Sequence, residues 1–188
     1  NEIIEIVKKH GGKVILTGDH PNGTSRVFEA FKKIKNDNVD LIINLQADLP
    51  NIKPNSISKL EKLMRESNSP IGTLASKLTK DEINDENVVK VEVETDLKED
   101  SFLKAKNFFR IKKDLKKEKI YHHVGIYCFQ SSQLKKYVEL GESRQEKILK
   151  LEQIRLMGKI EIKVGYCDSN PLSIDTLEDL KRIEKEMS

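Results

Sequence analysis

Asp48 closes the apolar run DLIINLQA and is followed at once by Leu49 and Pro50, so a carboxylate stands where a buried strand must stop. Such an acid can cap a turn ahead of the proline. It can equally ligate Mg²⁺, which prefers carboxylate and phosphate oxygens and needs only one or two protein ligands. A second acid, Asp175 in SIDTLEDL, precedes a run with helical spacing. It can cap that helix with Glu178 as reciprocal partner; Thr176 and Asp179 form an equally good pair, which would leave Asp175 free to face a ligand. In DHPNGTSR (19–26), Gly23 feeds a helix that opens at Thr24. Free amide groups and the positive dipole end there suit a nucleotide or another anion, while the plainer reading is a turn capped by Thr24. In HHVGIY (122–127), strand alternation puts His123, Gly125 and Tyr127 on one face and His122, Val124 and Ile126 on the other. A face bearing an imidazole, no side chain and then a phenol has room for a polar ligand, although both polar residues could also serve core hydrogen bonds. Glu152 and Gln153 sit beside Leu151 and Ile154 in a run with helical spacing, where an acid and an amide are ordinarily surface residues.

The elements that must position these groups alternate. A helix end over NEIIEIVKKHGG is followed by a strand at 13–17, a loop at 18–23 and a helix in which Val27, Ala30, Phe31 and Ile34 recur at three- and four-residue intervals. Next come a strand at 40–45, a helix at about 55–67, and strands at 71–78 and 87–94. From 96 to 119 the pattern degrades: FLKAKNFFRI offers one more strand, and KKDLKKEK reads as a solvated loop. A strand at 121–129, helices near 131–139 and 144–157, a strand at 160–166 and a helix at 175–187 complete the order. This alternation predicts an α/β fold, a mostly parallel sheet covered by helices, with a small antiparallel patch.

The bulk numbers bound the possibilities. A chain of 188 residues is long enough for one substantial α/β core. Charged residues make up 35%, but 34 basic against 31 acidic leaves only +3, and the lysines are scattered, so no nucleic-acid stripe is expected. No apolar run reaches the length of a membrane span, and no signal-peptide pattern opens the chain. Cys128 and Cys167 have neither metal-type nor disulfide spacing, which favours a reducing, cytoplasmic setting.

Taken in order, these stretches resemble the 3-deoxy-manno-octulosonate (Kdo) cytidylyltransferases, or CMP-Kdo synthetases, within the nucleotide-diphospho-sugar transferase superfamily. GGKVILTGDHPNGTSR is similar to the family's Gly-Gly, strand and Ser-Gly-Thr-x-Arg segment, and IINLQADLPNIKP to its QGDEP segment. NVVKV, HHVGIYCF, LEQIRLM and IDTLEDLKRIE match further segments in register. Ala47 stands for the family's Gly and Leu49 for its Glu; by the resemblance, Ala47 would restrict the backbone near a phosphate site and Leu49 would remove a charge next to the metal. The region 96–119 diverges, and the family's Ser-Arg-proline motif either survives only as Phe109-Arg110 or is absent.

The resemblance implies a reaction and roles. CTP and a Kdo-type sugar acid would give CMP-Kdo and pyrophosphate with Mg²⁺, in the cytoplasm, for lipopolysaccharide synthesis. Asp48 and Asp175 would be the metal ligands and catalytic acids. Gln46, His123, Tyr127, Glu152 and Gln153 would hold the sugar acid, and His20, Gly23, Thr24 and Arg26 would lie near nucleotide and sugar. A homodimer is expected. So is a single α/β domain over 1–188 lacking the family's N-terminal nucleotide-binding segment, since the chain opens at Asn1 within a helix pattern. Two other readings stay open: a cytidylyltransferase for a related acidic or amino sugar, and a degenerate homologue that serves as a binding or scaffold protein.

Overall fold

The computed structural model describes residues 2–36, 38–111, 119–174 and 176–187. They fall into two compact units, 1–39 and 40–188.

The first unit holds α1 (Glu2–Lys9) and α2 (Gly23–Ile34). Residues 13–17, expected as a strand, form an extended loop with Ile15 and Leu16 exposed. The reason lies in where its polar groups go. No described strand pairs with it, and side chains of α2 serve it instead: Lys33 Nζ donates to the carbonyl of Leu16 at 2.7 Å, and Arg26 Nη1 to Thr17 Oγ1 at 2.7 Å and the carbonyl of Gly18 at 3.1 Å. The N-cap of α2 is Asn22 rather than Thr24. The extended backbone of Asn22 lets its Oδ1 accept from the amide of Ser25 at 2.9 Å, one residue pair earlier than the Gly-Thr signal suggested.

The second unit is built on strands β1 (Leu41–Asn44), β2 (Ile71–Ser76), β3 (Lys90–Val93), β4 (Phe102–Phe109), β5 (Lys119–Gln130) and β6 (Ile162–Tyr166), in the order β1-β5-β2-β6-β4-β3. A further β3–β5 pairing closes β5, β2, β6, β4 and β3 into a barrel-like ring. The expectation of a mostly parallel sheet is corrected: among the described pairings only β2–β6 is parallel, and all the others are antiparallel. Two features produce this. The 13–17 segment joins none of the described ladders, and FLKAKNFFRI, weakly patterned in sequence, is a full antiparallel strand between β3 and β6. The charge run at 112–118 lies outside the described residues.

β5 organises the unit. One of its edges pairs with β2; the other is shared, with β3 along 119–122 and β1 along 127–130. Against β2, Thr73 pairs with Tyr127 but Leu74 with Val124, so two extra residues of β5 bulge there. Because the insertion is even, the alternation of faces survives it. Val124, Ile126 and Cys128 pack into a core with Leu60 and Met64 of α3 (Pro54–Ser67). α3 can lie this close because β2 carries Gly72: a Cβ there would stand 2.6 Å from Met64 Sδ and 2.8 Å from Phe102 Cζ. On the opposite face His123, Tyr127 and Phe129 form a run of rings that ends on Tyr137 of α4 (Ser131–Glu139), with centroid spacings of 5.4, 6.0 and 6.1 Å.

The helix expected over 144–157 is interrupted. α5 (Arg144–Leu149) stops at Lys150, whose φ of 50° is left-handed, and Glu152–Leu156 form a separate 3₁₀ turn. α5 opens with a capping box between Ser143 and Glu146. The last helix, α6, spans Leu177–Met187.

Candidate functional site

The sugar-facing candidates of the second unit gather where β1 leaves β5. Between the stretch of β5 paired with β3 and that paired with β1, residues 123–126 pair with no described strand on that edge, the amide of His123 donating to the carbonyl of Val89 at 2.9 Å. The chain leaving Asn44 passes there as the loop 45–50. A Cβ on Gly125 would lie 3.9 Å from Gln46 Cγ and 3.5 Å from Leu49 Cδ1. Gln46 therefore flanks the face that presents His123 and Tyr127. Leu49 is buried against it, although its position in the motif read as a charged one.

His123 is buried, and its Nε2 lies 2.9 Å from Thr73 Oγ1. The Thr73 hydroxyl donates to the carbonyl of Ile126 at 2.7 Å, so its oxygen accepts from His123 and fixes the Nε2–H tautomer. Burial, reinforced by neighbouring His122, lowers the imidazole pKa to about 3, so His123 is neutral at physiological pH. Tyr127 is buried too, and burial together with Glu152 and Tyr137 raises its pKa and keeps the phenol protonated. Its hydroxyl is buried and has no hydrogen-bond partner among the described residues. Such a group costs about 1–3 kcal/mol unless something satisfies it. Glu152 accepts from the hydroxyl of Tyr137 at 3.3 Å, and Gln153 beside it is buried.

What places Glu152 and Gln153 escaped the sequence reading. Arg155 and Glu146 form a buried pair, Nε to Oε2 at 2.8 Å with a second bond from Nη2 to Oε1, and the guanidinium lies 4.3 Å above the Tyr137 ring. This fork ties the 3₁₀ turn to α5 and to α4, so an acid and an amide that looked like surface residues face inward. The signal was present as Ser143-x-x-Glu146, a capping box, but nothing local pairs that Glu with Arg155.

Asp48 is exposed at the tip of its loop. Its carbonyl accepts from the amide of Ile174 at 3.0 Å, and Ser173 Oγ lies 3.5 Å from its Oδ2. The amide of Leu172 donates to Asn51 Oδ1 at 3.0 Å. The segment that leads into Asp175 is thus bonded along the Asp48 loop. Asp175 itself lies outside the described residues. The capping question beside it is settled: Asp179 Oδ2 accepts from the amide of Thr176 at 2.8 Å, and Thr176 Oγ1 accepts from the amide of Asp179 at 3.2 Å, so Thr176 caps α6. Among the described residues no three His, Cys, Asp or Glu side chains form a metal cage.

Of the four nucleotide-side candidates in the first unit, His20 and Arg26 already have protein partners. His20 Nε2 bonds the carboxylate of Glu29, and Arg26 holds residues 17 and 18. Glu29, which the sequence reading did not single out, also accepts from the amide of Gly18 at 3.1 Å. Lys33, His20 and that amide hold its pKa down to about 2. Gly23 opens α2, and Thr24 is buried in its first turn.

Comparison with known proteins places this arrangement. The fold is shared with solved structures of low sequence similarity. UTP-bound UGPase from Acinetobacter baumannii superposes with a TM-score of 0.62 at 13% identity, over 98% of this chain and 69% of that one. The structure of CMP:2-keto-3-deoxy-manno-octonic acid synthetase complexed with CTP superposes with a TM-score of 0.86 at 31% identity, covering 99% of this chain and 76% of that one. The 3-deoxy-manno-octulosonate cytidylyltransferase of Rickettsia canadensis (strain McKiel) is 39% identical over 98% of this chain and 74% of its own length. That of Rhodopseudomonas palustris (strain BisB18) is 38% identical over 96% and 74%. The cytidylyltransferase family model matches residues 1–163, and the chain belongs to that family.

Proposed function

We propose that this protein joins a Kdo-type sugar acid to CTP, giving CMP-Kdo and pyrophosphate, in the cytoplasm and in support of lipopolysaccharide synthesis. The names carried by its relatives favour these substrates. The observation in the molecule that carries the reading is the buried hydroxyl of Tyr127 near Glu152, which has no hydrogen-bond partner among the described residues. A protonated phenol, a carboxylate, the amides of Gln46 and Gln153 and a neutral imidazole are a donor and acceptor set for a polyhydroxylated ligand. None of them is a cation that would recognise a phosphate.

In the reaction an acceptor hydroxyl oxygen bonds to the α-phosphorus of CTP as the bond to pyrophosphate breaks. The residues around Tyr127 hold the acceptor so that this hydroxyl is presented in line. Mg²⁺ fits the acid loop by the chemistry of its donors. Asp48 offers an exposed carboxylate on a backbone fixed by Ile174, and the ion takes few protein ligands when phosphate oxygens supply the rest. Asp48 and Asp175 would hold it; when bound, it neutralises phosphate charge and acidifies the attacking hydroxyl. His20, Gly23, Thr24 and Arg26 belong on the nucleotide side, with the α2 N-terminus offering amide donors. We expect the active species to be a homodimer.

The test is pyrophosphate release with CTP, Kdo and Mg²⁺, beside UTP and beside neutral acceptor sugars. Release that requires CTP and a sugar acid, and that Asp48→Asn and Asp175→Asn each reduce by about 10²-fold or more, is expected. Equal release with neutral acceptors, or none with CTP and Kdo, would overturn the reading.

A further inference from the structure

Glu82 lies in the 3₁₀ turn Asp81–Asn84 between β2 and β3 and has been given no role above. Yet its carboxylate is the meeting point of three separate parts of the chain. Oε2 accepts from the amide of Thr79 at 2.8 Å, closing its own turn. Oε1 accepts from Asn170 Nδ2 at 2.7 Å and lies 3.0 Å from Nδ1 of His122. Asn170 is held a second time, its Oδ1 accepting from Ser76 Oγ at 3.3 Å. His122 is the residue before His123 and is paired on both edges of β5, with Ser76 and with Lys90. Asn170 opens the segment whose next bonds are Leu172 to Asn51 and Ile174 to Asp48. One carboxylate, mostly enclosed, therefore ties the strand bearing the sugar-facing histidine to the segment leading into Asp175.

The carboxylate is well suited to this. Although burial alone would raise its pKa, the Thr79 amide, His122 and Asn170 together leave it below the usual range, so it stays charged as an acceptor. Hydrogen bonds to a charged acceptor are stronger than those between neutral groups, so several of them can set the position of a loop.

We propose that Glu82 is a positioning residue that fixes residues 168–174 against β5 and thereby sets the alignment of the acid loop with the sugar-acid face. Its role in turnover rests on the cytidylyltransferase reading; its structural tie does not. The test uses Asn170→Ala, which cuts the tie at an exposed side chain, together with Glu82→Ala and Glu82→Gln. Amide hydrogen exchange in the ligand-free protein reads the tie directly. Exchange at Leu172 and Ile174 should quicken about tenfold in Asn170→Ala and Glu82→Ala, with the β2 amides unchanged; one lost bond of this class is worth that factor. Glu82→Gln keeps an acceptor oxygen and should restore most of the protection. In the assay, KM for the sugar acid should rise about tenfold in both alanine variants while KM for CTP stays within about twofold. Unchanged exchange in Asn170→Ala overturns the tie, and equal rises in both KM values, in step with lost thermal stability, overturn the positioning role. A parent protein that releases no pyrophosphate while Asn170→Ala still quickens exchange would reject the substrate reading and leave the tie standing.

Discussion

The amide of Ile174 donates to the carbonyl of Asp48 across 3.0 Å, joining the end of the chain's last loop to the turn after β1. The bond is made by backbone, so it survives any change of the Asp48 side chain. That side chain is exposed, and its one described contact, with Ser173 Oγ, is at the 3.5 Å limit of a hydrogen bond. Asp48→Asn should therefore change unfolding free energy by no more than about 0.5 kcal/mol, measured by urea denaturation, while pyrophosphate release collapses. A large loss of stability would mean the carboxylate is structural.

Tyr127→Phe separates binding from folding. The buried hydroxyl has no partner among the described residues, so removing it should leave the ligand-free protein as stable or up to about 1 kcal/mol more stable. If the hydroxyl serves the sugar acid, KM for that substrate should rise by about tenfold or more, the loss of one buried hydrogen bond. Calorimetric titration of the sugar acid into parent and variant reads the binding half independently.

His123 should make the fold acid-sensitive. Its folded pKa of about 3 lies below the usual histidine range near 6.5, so the unfolded chain takes up the proton first. The stability this group contributes is complete above about pH 6.5 and is lost as pH falls toward 3. Between pH 7 and pH 5 the loss is about 2 kcal/mol. His123→Gln removes the titration, so the parent should lose about that much more than the variant over this interval. Parallel curves for the two proteins would place the imidazole in water.

The Glu146–Arg155 fork predicts a large and one-sided cost. Glu146→Ala leaves a buried guanidinium without its counter-charge and removes the α5 capping box, so we expect a loss of about 3–5 kcal/mol. Arg155→Met also strands its partner, but Glu146 keeps its bond to the amide of Ser143 and loses less. A double-mutant cycle by chemical denaturation should give a coupling energy above about 1 kcal/mol; additivity would show that the two act separately.

Much of this molecule is written locally. The three- and four-residue spacing of Ile57, Leu60 and Met64 with Pro54 ahead of it marks α3, because an amphipathic helix and its start signal are local properties. The period-two face of His123 and Tyr127 was legible for the same reason, and the even bulge opposite Thr73 happened to leave it intact. The order of the motifs also pointed to the family. Three things were not legible. KVILT has every mark of a buried strand, but a strand needs a neighbouring ladder, and among the described residues its partners are side chains instead: Lys33 donates to the carbonyl of Leu16 and Arg26 to the hydroxyl of Thr17. The sequence offered both Asp175 and Thr176 as the cap of α6, and only the bonds between Thr176 and Asp179 choose. The inward turn of Glu152 depends on Lys150 adopting a left-handed φ and on a pairing of Arg155 with Glu146, neither of which follows from spacing.

The sequence by itself determined which residue types are available at strand ends and which face of each element they share, since both follow from the period of the backbone. Only the tertiary structure decided which strand lies beside which. Direction and pairing depend on hydrogen bonds between segments far apart in the chain, so the mostly parallel sheet expected from alternation became a largely antiparallel ring closed by β5.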